Sequence, residues 1–444
     1  MLKLFFSARR SWIDGLYDRS YRMQMGELHL PGVHLYMVND PAVVKRVLQE
    51  ESADFPKSAL LGDALRPLLG ESVFTTNGAM WRRQRDMMNP AFAQARLQVA
   101  FPVMKDAADD MLKRLASLPD GAEHDVEVEM TFVTADIIFR TIFSKPLAGP
   151  DAHRVFEAFA RFQALAPKLM LPAMYAMRWL VWPWDVWRSR RAAREIRGLL
   201  EALIRPRFEA YQRDGVSLTV DILAAFMAAR DPQTGRAFSF DELVDQVAML
   251  FLAGHETSAS ALTWACYLLA KAPDVQERVK GELSARLQGR SVEQSDLKQL
   301  ELTWNVFRET LRLFPPVGFM VRESAKACTL RDKAVPQGAS VLISPWLIQR
   351  HRLWWQEPDA FNPDRYQDEK TRESLRTAYL PFGEGPRVCI GAAFALQEAV
   401  LILASLVGSF LLEAVPGHVP QPVGRLTIRS GNGVRLKLHR RPEE

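Results

Sequence analysis

Between residues 240 and 271 apolar side chains recur at helical spacing, with Leu243, Val247, Leu250, Phe251 and Gly254 on one face. A hydrophobic period near 3.6 does not settle as a strand, so this stretch commits the chain to a long helix. The same period runs through residues 90–117, 187–213, 273–288 and 390–408, and the expected fold is mainly α. Alternating apolar and polar residues at Ser340–Ile343, 410–413 and 425–438 add a small β region, clustered in the C-terminal half. After residue 314, Pro315, Pro316, Pro336, Gly338, Pro358, Pro363 and Pro381 mark irregular chain with fixed turns. Length alone would allow about three domains. No repeat or polar linker divides the sequence, and residues 1–444 are read as a single large domain.

With 48% hydrophobic and 25% charged residues the chain can build a large core and is too apolar for disorder. No apolar run is read as reaching the roughly 18 to 20 residues of a spanning helix, and residues 1–10 are too short for a secretory leader. A soluble, cytoplasmic protein is expected. The net charge is +5, but Lys and Arg are spread without a basic arm, so no nucleic-acid partner is expected. Cys266, Cys328 and Cys389 lie too far apart for a disulfide framework or a Cys-x-x-Cys metal knuckle.

Cys389 has the most informative surroundings. The segment Pro381-Phe-Gly-Glu-Gly-Pro-Arg-Val-Cys389-Ile-Gly391 places it in a glycine-bracketed turn just before the apolar run 392–406, so its sulfur meets a helix N-terminus. Free amides, the positive end of the helix dipole and Arg387 are expected to lower the thiol pKa and favour the thiolate that a metal requires. Small neighbours let a flat macrocycle approach the backbone. The competing reading is a buried structural cysteine. A dinucleotide-binding Gly-x-Gly-x-x-Gly fails because Val388 holds the third glycine's place, and c-type heme attachment fails for want of Cys-x-x-Cys-His.

The pattern Phe382-x-x-Gly385-x-Arg387-x-Cys389-x-Gly391 resembles the heme-binding signature of the cytochrome P450 family, soluble bacterial-like members included, and matched motifs run from about residue 80 to 391. The resemblance implies a cytochrome P450 fold with heme b (iron protoporphyrin IX) between a long distal helix and the proximal helix after the cysteine. It also implies Cys389 as the thiolate metal ligand, with Phe382 and Gly391 at the cofactor.

Inside the long helical pattern, Ala253-Gly254-His255-Glu256-Thr257 interrupts the apolar run. Glycine costs about 1 kcal/mol relative to alanine in a helix, so either a tight helix crossing or a functional need keeps Gly254 there. A zinc-protease reading fails because Ala259 stands where the second histidine belongs. The quintet resembles the family's distal oxygen-binding motif. By that resemblance Gly254 and a widened turn leave room for O2, Thr257 supplies a hydroxyl and Glu256 relays protons. A hydroxyl beside a carboxylate makes a plausible proton chain. His255 is read as a packing residue.

Glu309-Thr-Leu-Arg312 and the later Arg365 resemble the family's buried Glu-x-x-Arg pair completed by a downstream arginine, a structural role. Trp81 and Arg85 resemble its heme-propionate segment, and Arg322 and Arg387 match two further propionate-facing positions; forked arginine donors suit carboxylates. The simpler reading leaves these arginines solvated. Residues 60–74, 162–187 and Val317-Gly-Phe319-Met320 are expected to border an apolar substrate cavity. In the middle stretch Leu169, Met170, Met174, Tyr175, Met177 and Trp179, Trp182, Trp184 and Trp187 stand beside Arg188, Arg190 and Arg191, where membrane contact is an option and plain core is the alternative. No flavin or iron–sulfur module follows Cys389, so a separate ferredoxin or flavodoxin with its reductase is expected on a basic cysteine face. The implied activity is insertion of one oxygen atom of O2 into a small lipophilic substrate. The rivals are a peroxide-driven heme-thiolate enzyme and a non-catalytic heme-binding sensor.

Overall fold

The computed structural model describes residues 11–30, 33–147, 154–165 and 181–442. Its axis is the helix Phe240–Lys271, opened by a capping box between Ser239 and Glu242. It stops before Pro273, whose missing amide suits the first turn of the next helix, Pro273–Leu287. The helices Val126–Phe143 and Ala392–Ser409 both pack against it. The expected helices all form, as Gln94–Ala116, Pro183–Asp214, Phe240–Lys271, Pro273–Leu287 and Ala392–Ser409. Val126–Phe143 joins them without a visible period, because it is buried on most of its faces and has no polar stripe to reveal one.

Two expectations about segments are corrected. The helix Ala392–Ser409 is long and apolar enough, by length and composition alone, to cross a membrane. Its apolar side chains from Ala399 to Val407 are mostly buried inside the protein, so the composition serves the core. The β region is not confined to the C-terminal half. A hairpin of Met25–Leu30 and Val33–Val38 supplies half of the largest sheet, with Val33–Val38 pairing parallel to Ser340–Ile343 and Met320–Glu323 at the far edge. Ala122–Asp125 likewise pairs with Arg435–Arg440, which also pairs with Phe410–Ala414. The stretch 425–438 is two strands rather than one, since Gly433 turns the chain at φ 74°, where an added Cβ would lie 2.5 Å from the Asp125 carboxylate.

The central helix serves two hydrophobic cores. Leu243 to Leu252 belong to one, built with Leu65, Phe139, Phe159, Ile196 and Phe226. Ala261 to Ala270 belong to the other, built with Met104, Val133, Phe307 and Leu401. The polar stretch from His255 to Ser260 falls at the seam between them. A site placed there is walled by rigid packing on both sides.

Beneath the cysteine segment lies a buried ion cluster. Glu309 and Arg312 have fully buried side chains, and the Glu309 carboxylate accepts from Arg312 and from Arg365, each at 2.8 Å. Arg312 donates further to the carbonyls of Gln349, Pro358 and Ala360. Gln349 in turn donates to the Leu311 and Arg312 carbonyls and accepts from the Leu380 amide at 2.8 Å, where the chain enters the cysteine segment. Removing one member of such a cluster strands its partners in low dielectric. Glu309→Ala should therefore lower stability by about 3–5 kcal/mol, measured by denaturant unfolding; a loss below about 1 kcal/mol would mean that the arginines find other partners.

Candidate active site

The cysteine loop is shaped by Gly383 and Gly385, at φ 73° and 74°. A Cβ on Gly385 would lie 2.2 Å from the Leu48 carbonyl oxygen, so the loop rests directly on the turn at residues 46–50. The Cys389 amide donates to the Phe382 carbonyl at 3.0 Å, closing the loop, while Phe382 packs at the edge of the core. The Cys389 side chain is exposed to solvent, although protein atoms crowd it from several sides. Burial pushes its thiol pKa up, against the opposing pull of the Gly391 amide and Arg85. The expected lowering by the helix end and Arg387 is thus outweighed by desolvation, and the cation that acts on the sulfur is Arg85. A metal ion would have to supply the remaining drive to the thiolate. A Cβ on Gly391 would meet nothing within 4 Å, so the protein leaves this face of the loop clear.

Around the loop stand four cations. Arg85 donates to the Val388 carbonyl and to Asn89, both at 2.8 Å. Arg387 donates to the Ser52 and Phe55 carbonyls and lies 5.3 Å from the Trp81 ring, so Trp81 supports an arginine. Arg322 is bridged to Lys57 through a backbone pair, and the Lys57 ammonium donates to the Val73 carbonyl at 2.6 Å. Burial and repulsion from Arg387, Arg322 and Arg85 lower the Lys57 pKa to about 7, and burial with Arg387 lowers that of Arg322 to about 10. The Nε atoms of Arg322 and Arg387 are buried without partners. No carboxylate figures among the groups acting on these last three. Such a cluster calls for a dianionic partner, and the two propionates of heme fit its chemistry. Sequence reasoning missed Lys57, a lone lysine in irregular chain with no motif to flag it.

On the oxygen-side helix, Ala253 is exposed, Gly254 and Thr257 are partly so, and His255 and Glu256 are buried. The helix is regular through this stretch, so the widened turn expected beside Gly254 is absent. A Cβ on Gly254 would come 3.0 Å from Ile138 Cγ1, which assigns the glycine to a close crossing with Val126–Phe143. Thr257 Oγ1 donates back to the Ala253 carbonyl at 2.7 Å. Glu256 does not bond to Thr257. Its Oε1 accepts from Thr427 at 2.7 Å and lies 3.5 Å from Arg429, while Oε2 is buried without a partner. Arg429 continues to Glu127 and Thr131 at 3.1 and 3.0 Å. His255 is buried between the Phe251 carbonyl and Gln163, and burial lowers its pKa to about 4, so it is a neutral packing residue as expected.

The substrate-side expectations are met unevenly. Residues Leu169, Met170, Met174, Tyr175, Met177 and Trp179 lie outside the described residues. Trp182, Trp184 and Trp187 are exposed on the surface instead of lining a cavity, with Trp184 and Trp187 stacked at 4.8 Å. Phe162 is core, and Phe319 packs edge-on against Trp12 at 5.3 Å. Met320 remains beside the cysteine loop, where a Cβ on Gly383 would lie 3.4 Å from its sulfur.

Comparison with known proteins agrees with this geometry. The family model for cytochrome P450 matches residues 17–432. Cyclooctatin synthase of Streptomyces melanosporofaciens is 32% identical over 412 residues, covering 91% of this chain and 86% of that one. Pentalenene oxygenase of Streptomyces avermitilis is 30% identical, covering 91% and 87%. A crystal structure of the cytochrome P450DA heme domain superposes with a TM-score of 0.82 at 24% identity, covering 95% of this chain and 90% of that one. With the matched model spanning both the cysteine loop and the Ala253–Thr257 stretch, the chain is a heme-thiolate monooxygenase and belongs to the cytochrome P450 family.

Proposed function

We propose that this enzyme inserts one atom of O2 into a lipophilic, terpenoid-like substrate, with Cys389 as the heme ligand and electrons delivered by a separate ferredoxin or flavodoxin with its reductase. The observation that carries the reading is the four-cation cluster around the loop of the solvent-exposed Cys389, which matches a dianionic macrocycle with one thiolate-seeking metal. The terpenoid class is supported by the relatives, which are named for oxidising cyclooctatin-type and pentalenene substrates. We read residues 1–444 as one domain, a reading supported among the described residues by the central helix that both main cores share.

Bound heme supplies the redox iron that activates dioxygen. The chain supplies the rest. Arg85, Arg322, Arg387 and Lys57 would hold the ring through its carboxylates, and Phe382 and Gly391 would border it at the cysteine loop. Thr257 offers a hydroxyl at the cleft, and releasing its bond to Ala253 turns that proton outward. Glu256 would recharge the hydroxyl by taking a proton from water and passing it to Thr257, which requires its carboxyl to leave Thr427 and Arg429; its Oε2 has no partner to give up. An electron donor would approach the cysteine face, where a cleft of about 540 Å³ is bordered by Lys298, Glu301, Arg308, Trp304, Phe382 and Leu396. Lys298 and Arg308 suit an acidic partner, with Glu301 opposing them in part.

Cys389→Ser should abolish the long-wavelength carbon monoxide band of the reduced protein; a retained thiolate band would remove the ligand assignment. Thr257→Ala should lower product formation about a hundredfold while reductant consumption continues as hydrogen peroxide, measured with the reconstituted donor; unchanged coupling would point to a non-catalytic role. Lys57 gives a pH signature. Its pKa of about 7 with protein groups alone rises when propionates arrive, so heme binding takes up a proton above pH 7. Heme affinity of the apoprotein should fall as pH rises from 7, by up to about tenfold per unit, and Lys57→Met should flatten that slope.

A further inference from the structure

Between the helices Ala59–Leu69 and Gly78–Met88 the chain is irregular, yet hydrogen bonds strap it to the second turn of the central helix. Asp245 Oδ2 accepts from the Glu71 amide at 2.8 Å, and Gln246 Oε1 accepts from the Val73 amide at 3.0 Å. Both acceptors belong to buried side chains. Gly70 makes the approach possible. Its φ is 50°, and a Cβ there would lie 2.1 Å from Asp245 Oδ1, so no side chain fits between the strap and the carboxylate. Gln84 adds a bond to the Glu71 carbonyl at 2.5 Å, and Thr75 one to the Gly70 carbonyl at 2.7 Å.

The strap is tied to charge on both sides. Arg197 of the helix Pro183–Asp214 donates to Asp245 Oδ1 at 2.6 Å and to the Leu68 carbonyl at 3.1 Å, which leaves the other carboxylate oxygen for Glu71. A charge-assisted bond of this kind holds Asp245 in one orientation. On the far side the Val73 carbonyl accepts from the Lys57 ammonium at 2.6 Å. Asn77 accepts from the Lys57 amide and donates to the Lys57 carbonyl, both at 3.0 Å. Val73 therefore gives its amide to Gln246 and its carbonyl to Lys57. The link matters because lysine is a point charge on a flexible four-carbon stem with three donors. One donor spent on a fixed carbonyl settles the ammonium and leaves two for a carboxylate.

We propose that Asp245 and Gln246 are positioning residues for the heme: through the Glu71–Val73 strap they hold the Lys57 ammonium where it meets a ring carboxylate, and Arg197 locks Asp245 for that task. The inference rests on the reading of the four cations as the seat of the heme carboxylates. It gives the central helix a part in cofactor binding upstream of the Ala253–Thr257 stretch. A purely structural strap has a different consequence. Its loss would weaken the heme site to the same degree whether or not position 57 carries an ammonium.

The test is a double-mutant cycle on the heme-loaded protein, read as the rate of heme transfer to excess apomyoglobin. Lys57→Met should speed heme loss about tenfold, and Gln246→Leu about fivefold. In the Lys57→Met background Gln246→Leu should add less than about 1.5-fold, because the strap then has no ammonium to position. Arg197→Met should speed the loss about threefold and likewise lose its effect once Lys57 is gone. Effects that multiply independently of Lys57 overturn the positioning role and leave the cation cluster standing. Heme loss unchanged in Lys57→Met overturns the carboxylate reading at Lys57 itself, and the positioning role with it. If Gln246→Leu fails to fold, the cycle between Arg197→Met and Lys57→Met decides.

Discussion

One helix buried by two cores is the constraint on which the molecule depends. The N-terminal half of Phe240–Lys271 is gripped by one hydrophobic cluster and the C-terminal half by another, so neither half can rotate without disturbing dense packing. Polar residues gather between the grips, where neither cluster demands apolar side chains. Gly254 fits the same account. It lets Val126–Phe143 cross closely at Ile138, one turn before Thr257. The glycine's conformational cost is offset by a precise position for its polar neighbours.

The second organising feature is the way buried charge is anchored. Glu309, Arg312 and Arg365 are satisfied by one another and by carbonyls of the irregular chain at 349–360, turning a stretch with little regular structure into a rigid support. Gln349 carries that rigidity to Leu380 and so to the cysteine loop. On the loop's other flank Gly385 lies against Leu48 and Arg387 holds Ser52 and Phe55. The sulfur is thus located by contacts from three distant parts of the sequence. Its loop has little freedom to adjust to whatever binds.

What could be read in advance follows from whether a signal is local. The cysteine segment, the Ala253 to Thr257 quintet and the Glu309–Arg312 pair are written in short contiguous patterns, while Arg365 is legible only through its own local Asn-Pro-Asp-Arg segment 53 residues later. The partners that decide their chemistry are not local. Thr427 meets Glu256 across 171 positions, Arg85 meets Val388 across 303, and Arg387 meets Ser52 across 335. No periodicity encodes such meetings. The hairpin at Met25–Val38 escaped for a related reason, since its place in the sheet is given by parallel pairing with Ser340–Ile343 far along the chain. The thiol's direction of shift escaped because proximity to a helix end is legible and burial is not.

That raised thiol and the crowded cations are two sides of one electrostatic design. With protein groups alone, burial disfavours the Cys389 thiolate, and Lys57 is pressed toward neutrality by its arginine neighbours. Each strain has the sign that a bound heme relieves: a metal cation favours the thiolate, and two carboxylates favour the ammonium and guanidinium groups. If these cations hold the heme as proposed, binding removes repulsion already built into the fold. It also discriminates, because a macrocycle without acidic side chains would relieve the sulfur and leave the cations opposed. On the proposed reading, these groups favour both the metal and the carboxylates of the ring, although they come from segments as far apart in sequence as Lys57, Arg322 and Arg387.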